Sequence, residues 1–158
     1  MTAHIPIRCT MVSVLAVRGR ADATRVLAVQ RASAYLKDAW SYIAGHVEAG
    51  EAGWQTALRE LYEETALVPA ELYATSFCER FYSGRDDCIE VVPAFVARVG
   101  DDAEVRLNPE HSTFRWVSLA DAAAMFPFGS QRDLLAHVHR EFIERQPSPW
   151  LRIEPERR

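Results

Sequence analysis

The stretch that decides the fold runs from Gly45 to Leu67 and reads GHVEAGEAGWQTALRELYEETAL. It carries the carboxylates Glu48, Glu51, Glu60, Glu63 and Glu64. At about 100° per residue, Glu60, Glu63 and Glu64 fit within a ~100° arc of a helix. Trp54, Ala57, Leu58, Leu61 and Thr65 fall on the other side. The spacing predicts an amphipathic helix with an apolar back and an acidic front. Gly45, Gly50 and Gly53 predict a loop ahead of it, and Glu51 sits near the helix start, where a carboxylate suits the dipole.

An acidic helix face is ordinarily a solvated one, and Glu is a good helix former. Here that reading leaves a conflict. Like charges at i,i+3 and i,i+4 repel, and acids near a helix C-terminus oppose the macrodipole. A divalent cation removes the conflict, since hard ions such as Mg²⁺ take a few carboxylates, waters and substrate phosphates.

The same residues resemble the Nudix box, G-x5-E-x7-R-E-U-x-E-E-x-G-U, where U is a bulky apolar residue. Gly45, Glu51, Arg59, Glu60, Leu61, Glu63, Glu64 and Leu67 match eight of the nine fixed positions over 23 residues. Ala66 stands where the pattern has Gly. A glycine there would permit a left-handed helix end, and alanine in that conformation costs about 1–2 kcal/mol. Either Ala66 takes that turn at this cost, or the helix ends differently before Pro69.

The resemblance implies an α/β chain folded as a Nudix-type α/β/α sandwich with a mixed central sheet. It implies Mg²⁺, with Mn²⁺ as the other option, held by Glu60, Glu63 and Glu64 and by the carbonyl of Gly45. Arg59 would orient the neighbouring glutamate, and Glu60 would combine ligand and base. The function implied is a pyrophosphohydrolase acting on a nucleoside diphosphate linked to another group, such as dATP or dihydroneopterin triphosphate. Dinucleoside polyphosphates, oxidised nucleotides and sugar nucleotides are further substrates the family takes. The rival is a non-catalytic nucleotide-binding module on the same fold, and an isomerase is a third option. Outside the box, Trp40, Glu90 and Glu110-His111 ahead of Phe114-Arg115-Trp116-Val117 resemble bacterial nucleoside-triphosphate and dihydroneopterin-triphosphate pyrophosphohydrolases.

Glu90 is the carboxylate to add to the box. It lies in Cys88-Ile89-Glu90-Val91-Val92, an apolar strand start, where a buried acid without a partner is costly. One reading points it to water from an edge strand. The other carries it over the acidic helix, as a metal ligand or as the catalytic base.

The remaining chain bounds these expectations. Its 158 residues, 49% hydrophobic and 25% charged, suit one domain spanning 1–158. A net charge of −4 supplies no global field for nucleic acid, so the expected partner is a small nucleotide-like substrate. Cys9, Cys78 and Cys88 show no metal-type spacing, although Cys78 and Cys88 can face each other across a hairpin. No stretch is long and apolar enough for a membrane span or shaped as a signal peptide, so the location expected is cytoplasmic. Dimers are common in the family, which makes a homodimer an expectation too.

Strands are expected over Ile7–Val17, Arg25–Arg31, Trp40–Ala44, Leu72–Tyr82, Cys88–Val99 and Phe114–Val117. Pro93 marks an edge, a bulge or a strand start. Helices are expected over Leu119–Met125, capped by Ser118, and from about Gly129 to Arg145. The Pro-rich, charged segment 147–158 is expected as a flexible or surface-strapped tail. His46, His111, His137 and His139 carry no metal-type spacing and are minor candidates.

Overall fold

The computed structural model describes residues 1–154. Eight strands form one mixed sheet: β1 (Ile7–Arg8), β2 (Met11–Arg18), β3 (Arg25–Arg31), β4 (Trp40–Ser41), β5 (Ile43–His46), β6 (Glu71–Ser83), β7 (Cys88–Arg98) and β8 (His111–Val117). β7 runs parallel to both β1 and β2, and the remaining pairings are antiparallel. The helices are α1 (Gly53–Thr65), α2 (Leu119–Met125) and α3 (Gly129–Val138).

Side-chain parity along the strands builds two cores. Val12, Val14 and Ala16 of β2, Leu27 and Val29 of β3, and Phe95 and Ala97 of β7 pack with Ala57 and Leu61 of α1. Their neighbours Leu15, Val17, Val26, Ala28, Ala94 and Val96 pack with Leu119 and Ala122 of α2 and Leu134, Leu135 and Val138 of α3. The sheet is thus covered on both faces, giving the α/β/α sandwich. Leu61 is fully buried on the apolar back of α1. Truncating a leucine in such a place costs about 2–5 kcal/mol.

The expected single strand Ile7–Val17 is broken. β1 meets β7 at Ile89 and Glu90, and β2 rejoins it at Ala94. Pro93 lies opposite the break and has no N–H to give a ladder. On its other side Pro93 pairs with Cys78, where β6 bulges between Ala74 and Cys78 and Ser76 takes φ 58°. The bulge and the break together let a proline sit inside a strand with neighbours on both sides. Cys78 opposes Pro93 and Cys88 opposes Ser83, so the two thiols do not face each other, and all three cysteines are free.

Ala66 takes φ 59° and its N–H donates to the Tyr62 carbonyl at 2.7 Å. The left-handed helix end is therefore built with alanine, at a cost of about 1–2 kcal/mol, and it delivers Leu67 into the core at 2% exposure. Ser118 caps α2 by accepting the Asp121 N–H at 3.1 Å. The last helix is α-helical only to Val138 and widens into a π-type turn over His139–Glu144. The tail lies along β6: Ile153 N–H donates to Leu72 O at 2.8 Å, and Arg152 pairs with Glu71 at 3.3 Å. Residues 155–158 of that tail lie outside the described residues. No helix among the described residues is long and apolar enough to cross a membrane.

Candidate active site

Arg59 organises the acidic face of α1. Its Nε and Nη2 form a two-pronged pair with Glu51, at 2.9 and 3.0 Å. Its Nη1 reaches Glu60 at 2.6 Å and Glu63 at 3.3 Å, and Nη2 also donates to the His46 carbonyl at 2.9 Å. Glu51 sits just ahead of the helix, next to its N-cap Ala52, and also accepts from Thr56 Oγ1 at 2.7 Å. Arg59, with Thr56 adding to it, holds the Glu51 carboxyl down at about 2. The guanidinium thereby ties the loop Gly45–Ala52 to the helix and fixes the carboxylate of Glu60 from one side.

Gly45 fixes it from the other. β5 ends against the helix so closely that a Cβ on Gly45 would lie 2.0 Å from Glu60 Cδ and 2.2 Å from its Oε1. Only glycine lets this backbone approach the acid. The Gly45 peptide and the Glu60 carboxylate thus line one point.

Glu64 departs from the expected exposed front. It is 2% exposed, and its Oε2 lies 2.5 Å from His111 Nε2. Its position on the helix borders Ala57, and β8 brings His111 down onto it. Burial pushes the Glu64 carboxyl up, with His111 acting in opposition. Glu110 stands beside this pair: donor atoms of Glu64, Glu110 and His111 all lie within 4.8 Å of one another. Asn108 shapes the approach, its side chain accepting the Glu110 N–H at 3.1 Å and its N–H donating to Glu64 O at 3.1 Å. Glu110 and His111 are the candidate site residues that sequence reading undervalued. The signal was present in the pair Glu110-His111 ahead of the Phe114 strand, but nothing local shows that β8 starts against α1.

This donor set fits a divalent cation. Glu64 and Glu110 offer hard carboxylate oxygens beside His111, and Glu60, set against Gly45, and Glu63 offer more along the same helix. A cation would also relieve the burial of Glu64 and the repulsion along α1.

Glu90 is not over the acidic helix. It lies in register with Ala94 and Val96, which pack beneath α2 and α3, whereas α1 covers Phe95 and Ala97. Strand alternation therefore sends Glu90 to the opposite sheet face. There it is 3% exposed and pairs with Arg8, whose Nε lies 2.7 Å from Oε1. Neither a role as ligand to the α1 cluster nor one as its base is compatible with that placement. The minor histidines are engaged elsewhere. His137 Nε2 contacts Thr75 O at 2.6 Å, and His139 pairs with Glu144 at 3.1 Å.

Comparison with known proteins agrees with this geometry. The NUDIX domain family matches residues 9–146. An octanoyltransferase of Myxococcus xanthus is 38% identical over 125 residues, 77% of this chain, which spans only 34% of that protein. A bis(5'-nucleosyl)-tetraphosphatase [asymmetrical] of Sus scrofa is 34% identical over 103 residues, covering 64% of this chain and 70% of that one. A crystal structure of a C. elegans Ap4A hydrolase binary complex superposes with a TM-score of 0.70 at 24% identity, over 82% of this chain and 94% of that chain, a likeness of fold. The family match over most of its length, on a sandwich whose acidic helix meets Gly45 as the box requires, shows that the chain belongs to the NUDIX family.

Proposed function

We propose that this Nudix chain is a pyrophosphohydrolase that adds water across a phosphoanhydride bond of a nucleoside polyphosphate. The observation that carries the reading is Arg59 gathering Glu51, Glu60 and Glu63 on the front of α1, with Glu60 seated against the Gly45 backbone and Glu64 grouped with Glu110 and His111 at the buried edge. Magnesium, or manganese in its place, would be held by Glu60, Glu63, Glu64 and Glu110 and by the Gly45 carbonyl. When bound, the ion offsets charge on the phosphates and lowers the pKa of a water.

The chain's own residues do the rest. Arg59 locks one oxygen of Glu60 and leaves the other to accept a proton from the attacking water. That water forms the new P–O bond as the bridging P–O bond breaks, and the two halves leave as separate phosphates. His111 fixes Glu64 from within the core, so the acid cannot swing to solvent.

Among substrates, dinucleoside tetraphosphates come first, on the 34% identity to a tetraphosphatase. Nucleoside triphosphates such as dATP and dihydroneopterin triphosphate come second, on Trp40 before Gly45 and Glu110-His111 before Phe114-Arg115-Trp116-Val117. The test is a panel of these compounds with Mg²⁺ or with EDTA, the products identified by mass spectrometry. Expected are unequal phosphorylated products that need the ion. Nucleotide binding without any product would establish the non-catalytic module instead.

A further inference from the structure

Among the described residues, two buried side-chain atoms lack a hydrogen-bond partner, His111 Nδ1 and Glu90 Oε2. The first lies in the acidic cluster already described. The second does not. Every contact of the Glu90 carboxylate falls on its other oxygen: Arg8 Nε at 2.7 Å, Arg8 Nη2, and the Cys88 thiol at 3.6 Å all go to Oε1. A carboxylate oxygen is a strong acceptor, and leaving it unpaired in a buried place is costly.

The surroundings of Glu90 suit a flat ligand. Phe81 is its cross-strand partner and is 42% exposed. The β6–β7 turn beside it carries Arg85, whose guanidinium lies 5.4 Å from the ring of Tyr35 on the β3–β4 loop. Tyr35 is exposed, and its loop holds Leu36 and Asp38 at positive φ, a strain common around binding sites. Two loops thus arch over the sheet end at which β2 and β7 begin and β5 finishes. Gly45 is level with Val12, and so with Pro93, in the strand register. Three residues along β7 and two strand spacings across separate it from Glu90, roughly 14 Å of backbone. That is comparable to the span from a base edge to the outer phosphates of a nucleotide.

We propose that Glu90 is a specificity-determining residue, its free oxygen accepting N–H groups from the heterocycle of the substrate while the polyphosphate passes over the sheet end to the acidic helix. This rests on the pyrophosphohydrolase reading and deepens it. An ionised carboxylate only accepts, so it selects an edge that offers donors and no acceptor. The 2-amino-pyrimidinone edge, with its ring N–H beside an amino group, meets that demand. Adenine puts a ring acceptor beside its amino group. Guanine and pterin share the favoured edge, and the Phe81 ring supplies a stacking face for either.

The test is kinetic and direct. GTP, ITP, ATP and dihydroneopterin triphosphate are turned over by the wild type, Glu90→Gln and Phe81→Ala. GMP, IMP, AMP and neopterin are titrated by calorimetry in EDTA, where no ion acts. The wild type is expected to favour GTP and dihydroneopterin triphosphate, which carry the 2-amino-pyrimidinone edge, over ITP and ATP by at least tenfold in KM. GTP against dihydroneopterin triphosphate then tells base from pterin. Glu90→Gln erases the preference by raising KM, with kcat little changed, and Phe81→Ala raises KM for all four. A fall in kcat at constant KM would make Glu90 a catalytic base and overturn the proposal, as would an unchanged KM in a folded variant. If Glu90→Gln fails to fold, an unchanged KM in Phe81→Ala or the absence of a preference for the 2-amino-pyrimidinone edge in the wild type overturns it. Failure of the wild type to hydrolyse any of these compounds or a dinucleoside tetraphosphate would instead overturn the pyrophosphohydrolase reading.

Discussion

The acids under α1 and Glu79 on the other face of the sheet are handled in opposite ways. Over α1, Glu51, Glu60 and Glu63 share the one guanidinium of Arg59, and Glu64 pairs with His111 while Glu110 stands beside them. Negative charge there exceeds the positive charge that Arg59 and His111 set against it. Under α3, Glu79 is 5% exposed and accepts from Tyr42, from Ser13 at 3.3 Å and from Ser130 at 2.9 Å. Burial first, and the adjacent Glu79 carboxylate second, push the Tyr42 phenol up, so it stays a donor. One face leaves its acids short of counter-charge and so keeps a demand for a cation. The other satisfies Glu79 internally and uses it to tie β6 to β2, to Tyr42 between β4 and β5, and to the start of α3.

The contrast breaks first, and most visibly, in turnover. Glu64→Gln keeps volume and removes charge at the buried end of the cluster, and Glu63→Gln does so at its exposed end. Each is expected to lower kcat by about 10²-fold or more, since several kcal/mol of ion-borne stabilisation is at stake. Melting in EDTA should show the fold intact. Near-normal turnover in either variant would remove the catalytic reading of the α1 face.

Tyr42→Phe probes the opposite face. It takes one donor from a buried carboxylate, which costs about 1.5–3 kcal/mol and lowers the melting temperature by several degrees. The kcat should be nearly that of the wild type. A melting curve superimposable on the wild type would show that the Glu79 network does not bear stability.

Glu51→Gln sharpens the comparison at the smallest scale. The Glu51 carboxyl is lowered from 4.5 to about 2 in the folded state. A lowered folded value favours the fold above the unfolded value. That contribution is therefore whole above about 4.5 and is lost as pH falls toward about 2. Melting temperatures of the wild type should fall more steeply across this window than those of Glu51→Gln. Parallel curves would mean that Arg59 does not clamp Glu51 in solution.

The amino-acid sequence by itself determined what a single segment can encode. Helical spacing set the acidic arc of α1, and the resemblance to the Nudix box pointed to Gly45 and to Arg59 as the residue that orients Glu60. The Ser118 cap and most strand centres were equally local. What it left open at Ala66, the structure resolved as a left-handed turn. Only the tertiary structure decided which carboxylates share a site. Glu64 met His111 across 47 positions, and Glu90 met Arg8 across 82. Parity and register are properties of paired strands, and one residue of slip moves a side chain to the other face. The break between β1 and β2, opposite a proline, is part of that pairing. No reading of the segment around Glu90 alone contains the partner strands that turn it away from the acidic helix.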